Sequence, residues 1–351
     1  MSHDAPPVLS RTEGRAGHLV LNRPRALNAL DHTMVRLIDD ALTAWERDEA
    51  VAAVVVTGAG ERGLCAGGDI RAVRDDILAG GGAASAAFWH DEYLLVSRIA
   101  RYRKPYVAVM DGYVMGGGVG VSAHGDVRVV TERSRVAMPE TVIGFVPDVG
   151  GTYLLARAPG ELGTHLALTG ASAGPADALL CGLADHFVPA GRLGDFVAAL
   201  AHREVDEAVA AYAEAAPGGE LAAHREWIDS CYAAGSVEEI VDRLLACGEP
   251  AAKETAETLL SRSPTSLKVT LAAVRRARAL GSLEDVLRQE YRTSCACLTA
   301  PDFPEGVRAQ VVDKDRAPRW SPARLADVSE ADVARFFLPS PYGRLGLPAD
   351  A

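Results

Sequence analysis

The stretch DGYVMGGGVG, Asp111–Gly120, decides the fold. It follows Tyr106–Met110, an apolar run that predicts a buried strand, and it brings the chain to Gly116–Gly118 at the start of a predicted helix. Helix starts expose unpaired backbone N–H groups, and glycines let a ligand approach the backbone closely. The pattern therefore indicates either a cradle for a phosphate or an oxyanion, or a tightly packed helix start.

Three further segments stand in a definite order around this stretch. NRPRALNAL, Asn22–Leu30, turns from a predicted strand toward a helix. GLCAGGDI, Gly63–Ile70, places two glycines after the apolar run Val51–Thr57, and MPETVIGFVPDVGG, Met138–Gly151, carries two carboxylates between apolar residues. Each segment alone fits a tight turn, so the order of the four is the informative signal.

Apolar, β-branched runs alternate with helical patterns over the first 200 residues, which predicts an α/β fold with strands covered on both faces. The predicted strands are His18–Leu21, Val51–Thr57, Tyr106–Met110, Val127–Thr131 and Arg135–Met138. The predicted helices are Asp31–Trp45 with Asp31 as its N-cap, one beginning near Gly117, Gly151–Arg157, Leu162–Leu168 and Pro175–Cys181.

Alanine-rich helical patterns dominate after about residue 200. We therefore predict a strand-containing core with the active site over residues 1–200, and a helical region with an extended tail over residues 201–351. The proline-rich stretch Pro301–Pro348 predicts irregular structure, and Gly80–Ala84 predicts a mobile surface loop.

Composition limits the classes of function. The 351 residues carry a formal net charge of −11, which disfavours a nucleic-acid partner. No run of about 18 apolar residues suggests a membrane span, and no targeting pattern is evident, so a cytoplasmic protein is expected. The six scattered cysteines predict reduced thiols, and no histidine or cysteine cluster predicts a metal site.

Together the four segments resemble the crotonase superfamily, which includes enoyl-CoA hydratases, isomerases and CoA-thioester hydrolases. The resemblance implies a spiral of β-β-α turns followed by a helical C-terminal region. It also implies an acyl-CoA substrate, no cofactor beyond the coenzyme A of that substrate, and a homo-oligomer such as a trimer or hexamer. The family's oxyanion hole, two backbone N–H groups that bind the thioester oxygen, falls on Gly68 and Gly117.

One departure from the hydratase pattern points to a particular branch of the superfamily. Hydratases of the superfamily use two glutamates, and the first of these positions is occupied here by Gly120, which has no acid–base group. The branch that shares this departure hydrolyses 3-hydroxyisobutyryl-CoA in valine breakdown. The resemblance to it runs from about residue 15 to about residue 337 and includes SPTSLKVT, EYR, DFPEGVRA and DKDRAPRW in the C-terminal part.

This resemblance assigns substrate-binding positions to Glu92, Gly117, Glu140 and Asp148. Glu140 is the expected catalytic group, either as a nucleophile that forms a mixed anhydride or as a general base that activates water. Asp148, the second expected catalytic residue, positions the water or the substrate hydroxyl. Glu92 contacts the polar end of the substrate or orients the catalytic pair.

Structural roles are the alternatives for these carboxylates. Glu140 follows a proline and fits a first-turn acid, and Asp148 precedes a predicted helix that it could cap. Glu92 fits a solvated position at a charged helix start. Structural ion pairs are expected for Glu305, Asp313 and Asp315, and packing or surface roles for His90 and His124.

The resemblance also assigns coenzyme A contacts to the segments Asn22–Leu30 and Gly63–Ile70. The residues assigned to coenzyme A binding are Arg25, Ala66, Asp69 and Ile70, and Asp69 also fits a helix cap. Arg23 and Lys104 are further cations that fit the coenzyme's phosphates. Two other functions stay open at this point: an enoyl-CoA hydratase or isomerase that uses Glu140 alone, and a non-catalytic CoA-binding subunit.

Overall fold

The computed structural model describes residues 5–347, and the chain divides into two compact units. The first unit contains the residues up to Gly68, Leu94–Val136 and Ala173–Gly219. The second contains Asp69–Tyr93, Ala137–Ser172 and the residues from Glu220 onward. The division into residues 1–200 and 201–351 follows the sequence instead and stays a prediction.

A six-stranded sheet organises the first unit, in the order β1-β2-β3-β4-β6-β8. β1 pairs with β2 antiparallel, and the other neighbours pair in parallel. A separate two-stranded sheet joins β5 and β7. The strands are β1 (Val8–Glu13), β2 (Ala16–Leu21), β3 (Ala53–Gly58), β4 (Tyr106–Met110), β5 (Tyr113–Met115), β6 (Val127–Val130), β7 (Arg135–Ala137) and β8 (His186–Phe187).

All five predicted strands are present, with ends that differ by at most two residues, and β4 matches its predicted range. The sequence pattern did not predict β1, β5 and β8. β1 is an edge strand with mostly exposed side chains, and the other two are only three and two residues long. Short or exposed strands leave little apolar pattern to detect.

Helices make up most of the remaining described chain. They are α1 (His32–Arg47), α2 (Ile70–Gly80), α3 (Ala83–Ala100), α4 (Gly117–Gly120), α5 (Gly151–Leu155), α6 (Leu162–Thr169), α7 (Pro175–Leu180), α8 (Leu193–Ala199), α9 (Val205–Tyr212), α10 (Leu221–Tyr232), α11 (Val237–Ala246), α12 (Pro250–Leu260), α13 (Pro264–Ala277), α14 (Leu283–Cys297), α15 (Asp302–Val307) and α16 (Glu330–Arg335). The predicted cap at α1 is confirmed, because the Asp31 side chain accepts a hydrogen bond from the N–H of Met34 at 2.9 Å.

Each unit has its own apolar core. In the first unit, valines of the parallel strands pack with Phe196 and Leu200, which lie in and just after α8. In the second unit, Phe145 stacks between Trp89 and Phe303, with ring centroids 5.2 and 4.6 Å away. Such contacts between large buried rings fix side-chain positions firmly.

Two structural predictions are wrong. Gly80–Ala84 is not a loop of five residues, because α2 ends at Gly80 and α3 begins at Ala83, which leaves a two-residue link. The tail beyond Pro301 is not wholly irregular, since α15, a π-helical turn at Arg308–Val312 and α16 lie within it. Within residues 5–347, no helix is long and apolar enough to cross a membrane.

Candidate active site

Two glycine turns lie side by side in the first unit. The N–H of Met115 donates to the carbonyl of Cys65 at 3.0 Å, and the N–H of Cys65 donates to the carbonyl of Tyr113 at 3.1 Å. A methyl group at Gly118 would stand 2.6 Å from the Cys65 carbonyl oxygen. Glycine is therefore needed at position 118 because the neighbouring backbone occupies the space of a side chain.

The amides of Gly68 and Gly117 are the predicted oxyanion donors. Among residues 5–347, neither N–H donates a hydrogen bond. A Cβ built at Gly67 would stand 3.6 Å from the Gly117 nitrogen, which shows how closely the two turns approach. α4 has only four residues, so any oxyanion binding here depends on individual N–H groups more than on a helix macrodipole.

Four carboxyl groups are buried in the second unit, where Glu92, Glu140, Asp148 and Glu290 are each no more than 5% exposed. Burial, followed by the charge of Asp148, raises the pKa of Glu92 and of Glu140 well above the ordinary 4.5. Burial also raises the pKa of Asp148 to about 7, against a hydrogen bond from Tyr93 that lowers it. Burial therefore makes ionisation of these carboxyl groups harder than in water.

Asp148 has a defined set of neighbours. Its Oδ2 accepts a hydrogen bond from the Tyr93 hydroxyl at 2.8 Å, and that hydroxyl lies 2.8 Å from the Ser294 oxygen. The cap alternative for Asp148 does not hold, because Gly150 is the N-cap of α5 and the Asp148 side chain accepts from the Tyr93 hydroxyl instead. Tyr93 and Ser294 are site residues that sequence analysis missed.

Two buried carboxylate oxygens have no hydrogen-bond partner in the described part of the chain, Oε1 of Glu92 and Oε2 of Glu140. Buried acceptors are normally satisfied, so such atoms indicate a place for water or a ligand. The solvated alternative for Glu92 is wrong, since this residue lies in the middle of α3 and is 2% exposed. Glu140 does occupy the first turn of the 3-10 helix Glu140–Ile143, which agrees with the first-turn alternative.

The predicted coenzyme A residues differ in their surroundings. Arg25 is exposed, and the Ala66 N–H donates to the Leu27 carbonyl at 2.9 Å. Asp69 caps α2 through the N–H of Ala72, as predicted, and Ile70 is the first residue of that helix.

The other two candidate cations bind the backbone. Lys104 donates to the carbonyls of Trp45 and Asp48 at the end of α1. Arg23 donates to the Ala29 carbonyl at 2.6 Å and lies 3.4 Å from Asp31. These bonds give both residues structural roles and make them weaker candidates for phosphate binding than Arg25.

Residues of the tail form the expected ion pairs. Arg308 bonds Glu305, Asp313 and Asp315 at 2.8, 2.6 and 2.7 Å. The prediction of structural ion pairing for these three acids is confirmed.

Fold and site together define a member of the enoyl-CoA hydratase/isomerase family, to which the chain belongs: the family model matches residues 16–337. Among curated proteins it is similar to the mitochondrial 3-hydroxyisobutyryl-CoA hydrolases of Danio rerio, at 44% identity over 94% of this chain and 89% of the relative, and of Homo sapiens, at 40% identity over 95% and 89%.

Solved structures show the same fold under other names. A carnitinyl-CoA dehydratase from Mycobacterium thermoresistibile is 54% identical, with a TM-score of 0.93 over 96% of this chain and 98% of that chain. An enoyl-CoA hydratase from Rhodobacter sphaeroides is 42% identical, with a TM-score of 0.92 over 97% and 100%. The predictions of an α/β crotonase-like fold and of the superfamily are confirmed.

Proposed function

We propose that the protein hydrolyses 3-hydroxyisobutyryl-CoA to 3-hydroxyisobutyrate and coenzyme A. The observation that carries the proposal is the buried carboxylate of Glu140, whose Oε2 has no hydrogen-bond partner among residues 5–347. Curated hydrolases at 40–44% identity over most of the chain supply the substrate class.

In the proposed reaction, the N–H groups of Gly68 and Gly117 hold the thioester oxygen as negative charge develops on it. The C–S bond breaks, the acyl carbon gains an oxygen either from water directly or from Glu140 in an anhydride that water then hydrolyses, and coenzyme A leaves as a thiol with a proton that water supplies. Glu140 acts in its ionised form, either as the base that takes a proton from water or as the nucleophile of an anhydride intermediate. The chemistry as proposed needs no resident metal or redox group.

Glu92 and Asp148 suit the polar end of the substrate. The unpaired Oε1 of Glu92 is an acceptor that a substrate hydroxyl can satisfy. Asp148, with a pKa raised to about 7 by burial, can exchange a proton with water near neutral pH. We propose that Asp148 positions the attacking water or the hydroxyl, while Glu92 binds the hydroxyl.

Hydration of an enoyl-CoA is the second candidate, because the two solved structures described above are named as a dehydratase and a hydratase. Two-carboxylate hydration needs a second acid two positions after the triple glycine. That position is Gly120, which is buried and cannot move a proton. We therefore favour hydrolysis over hydration.

The decisive experiment measures free thiol release and the loss of enoyl absorbance in parallel, with 3-hydroxyisobutyryl-CoA, 3-hydroxypropionyl-CoA and crotonyl-CoA. We expect thiol release from the two hydroxyacyl thioesters and little change in crotonyl-CoA. Glu140→Gln should lower kcat by about 10³-fold, since it removes the acid–base group without changing side-chain size. Loss of enoyl absorbance without thiol release would instead assign hydration.

A matched control is Glu239→Gln, which changes an exposed first-turn glutamate of α11 and should leave kcat unchanged. A Glu140→Gln variant that hydrolyses at the wild-type rate would remove Glu140 from the mechanism. In single-turnover hydrolysis in ¹⁸O-water, label in the Glu140 carboxylate would assign the nucleophilic role, because label enters there only when water attacks the glutamyl carbonyl of an anhydride.

Three further proposals concern binding and context. Arg25 contacts a coenzyme A phosphate, so Arg25→Ala should raise KM more than it lowers kcat.

The protein is cytoplasmic, although the curated relatives carry the word mitochondrial in their names. It also forms a homo-oligomer, for which sedimentation of the purified chain is the direct measurement.

A further inference from the structure

The backbone between Asp148 and α5 adopts an unusual conformation. Val149 has a φ of 50° and Gly150 a φ of 78°, so two successive residues lie in the left-handed region. A β-branched residue rarely adopts this conformation, because its Cβ substituents crowd the following carbonyl. Such a turn persists only where the surroundings hold it, and strained backbone of this kind is often found at functional sites.

Glu290 of α14 supplies the contacts that hold this turn. Its Oε2 accepts a hydrogen bond from the Gly150 N–H at 2.6 Å. Its Oε1 accepts from the Thr152 N–H at 2.8 Å and from the Thr152 hydroxyl at 2.6 Å. The arrangement is that of a backbone nest that binds an anion, with the anion provided by the protein's own side chain.

Glu290 does not stabilise the fold through an ion pair. Glu290 is fully buried, and within residues 5–347 no lysine or arginine pairs with it. Burial raises its pKa to about 8, while its hydrogen bonds from Thr152 and Gly150 act in the opposite direction. A buried carboxyl group without a cation is costly, so its retention at the turn next to Asp148 suggests a functional constraint.

We infer that Glu290 is a positioning residue for hydrolysis: its carboxylate holds the left-handed turn at Val149–Gly150, and the turn places the Asp148 carboxylate beside Tyr93. The inference rests on the proposed function of Asp148. Glu290 itself touches no reacting atom in this account and acts only through the turn. A glutamine at this position would present an amide N–H₂ group to one of the donors of Gly150 or Thr152, and that donor would lose its acceptor.

The first measurement does not depend on activity. Amide hydrogen exchange of the ligand-free protein should show faster exchange at Gly150 and Thr152 in Glu290→Gln than in the wild type. The matched control is Glu284→Gln, which replaces another buried glutamate of α14 and should leave exchange at these two amides unchanged. Unchanged exchange at these two amides in Glu290→Gln would show that Glu290 does not hold the turn, and it would overturn the inference.

The second measurement is a double-mutant cycle in kcat. Glu290→Gln alone should lower kcat by about 10- to 100-fold with KM changed by less than about twofold, because a small misplacement of Asp148 affects the reaction more than binding. In an Asp148→Asn background, the same change should have almost no further effect. Equal losses in both backgrounds would show a general structural role and would overturn the inference.

A milder variant covers the case in which Glu290→Gln does not fold. Thr152→Val removes the hydroxyl donor and keeps the N–H, so one of the three bonds is lost. It should lower kcat by a smaller factor, again only when Asp148 is present. If the wild type shows no thioester hydrolysis, the proposed function fails, whereas the exchange measurement still decides whether Glu290 holds the turn.

Discussion

At the scale of single residues, Tyr93 contacts the buried acid cluster, which consists of Glu92, Glu140, Asp148 and Glu290, through its hydrogen bond to Asp148. Its hydroxyl donates to Asp148 and lies beside Ser294, and its ring packs edge-on against Tyr291 with centroids 6.0 Å apart. A hydrogen bond to an ionised carboxylate favours the ionised form, so Tyr93 limits how far burial raises the pKa of Asp148. The tyrosine therefore sets the pH range in which Asp148 carries a charge.

We predict that Tyr93→Phe moves the acid limb of the kcat/KM profile to higher pH and lowers the maximum by about tenfold, since one charge-assisted hydrogen bond is lost. The sign follows from Asp148: without its donor the ionised form is less stable, its pKa rises above about 7, and more alkaline conditions are needed to ionise it. The pH dependence of kcat/KM is the measurement.

Tyr102→Phe is the control for this prediction. It removes a buried hydroxyl that donates to the Leu42 carbonyl in the first unit, and it should leave the profile in place. An acid limb in Tyr93→Phe that coincides with the wild-type limb would show that Asp148 does not govern the pH dependence.

Sequence analysis could find the catalytic candidates but not their partners. Glu140 and Asp148 stand in one short motif, whereas Asp148 and Tyr93 are 55 residues apart, and Tyr93 and Ser294 are 201 apart. Glu290 lies in the EYR motif, which resembled the hydrolase branch without indicating a role. Contacts between distant residues depend on how the helices pack, and a single sequence does not show this.

At the scale of elements, the close pairing of the two glycine turns depends on Gly118. We predict that Gly118→Ala lowers kcat/KM by about 100-fold, because the added methyl group would stand 2.6 Å from the Cys65 carbonyl oxygen and must push the turns apart. Steady-state kinetics and thermal unfolding together measure the effect on catalysis and on stability.

Gly191→Ala is the matched control, since a Cβ at Gly191 meets no atom within 4 Å. It should change neither kcat/KM nor Tm. Full activity in Gly118→Ala would mean that the spacing of the two turns has no bearing on catalysis.

The strands were predictable because buried parallel strands consist of continuous β-branched residues, as in β3 and β4. The course of α2 and α3 was less predictable. Both helices run into the glycine- and alanine-rich segment around Gly82, where composition resembles a flexible linker. A methyl group at Gly82 would stand 3.0 Å from the side chain of Leu298, so Gly82 packs closely against the residue that follows α14.

At the scale of the whole molecule, the buried carboxyl groups lower stability. The pKa of Asp148 is raised from 3.8 to about 7, so the native state binds a proton more tightly than the unfolded chain between these pH values. Stability from this group is therefore greatest below about pH 4 and declines as pH rises through about 7. The difference corresponds to at most roughly 4 kcal/mol.

We predict that Asp148→Asn has a Tm equal to or above that of the wild type at pH 8, with the advantage shrinking toward pH 5. Asp185→Asn should instead lower Tm at both pH 5 and pH 8. Burial raises the pKa of Asp185, but hydrogen bonds and charge from Arg128 outweigh burial and lower it, so its charge stabilises the fold above about pH 4. Thermal unfolding of both variants at pH 5 and pH 8 is the measurement, and a lower Tm for Asp148→Asn at pH 8 would contradict the argument.

The buried acid cluster also changes how the folded molecule behaves in an electric field. The formal charge of −11 and the pI of about 5.3 count every aspartate and glutamate at its ordinary pKa. Burial raises the pKa of Asp148 to about 7 and that of Glu290 to about 8, so near neutrality these two groups carry less negative charge in the folded molecule than this count assumes. An anionic coenzyme therefore meets a weaker repulsion from the cluster than fully ionised carboxylates would exert.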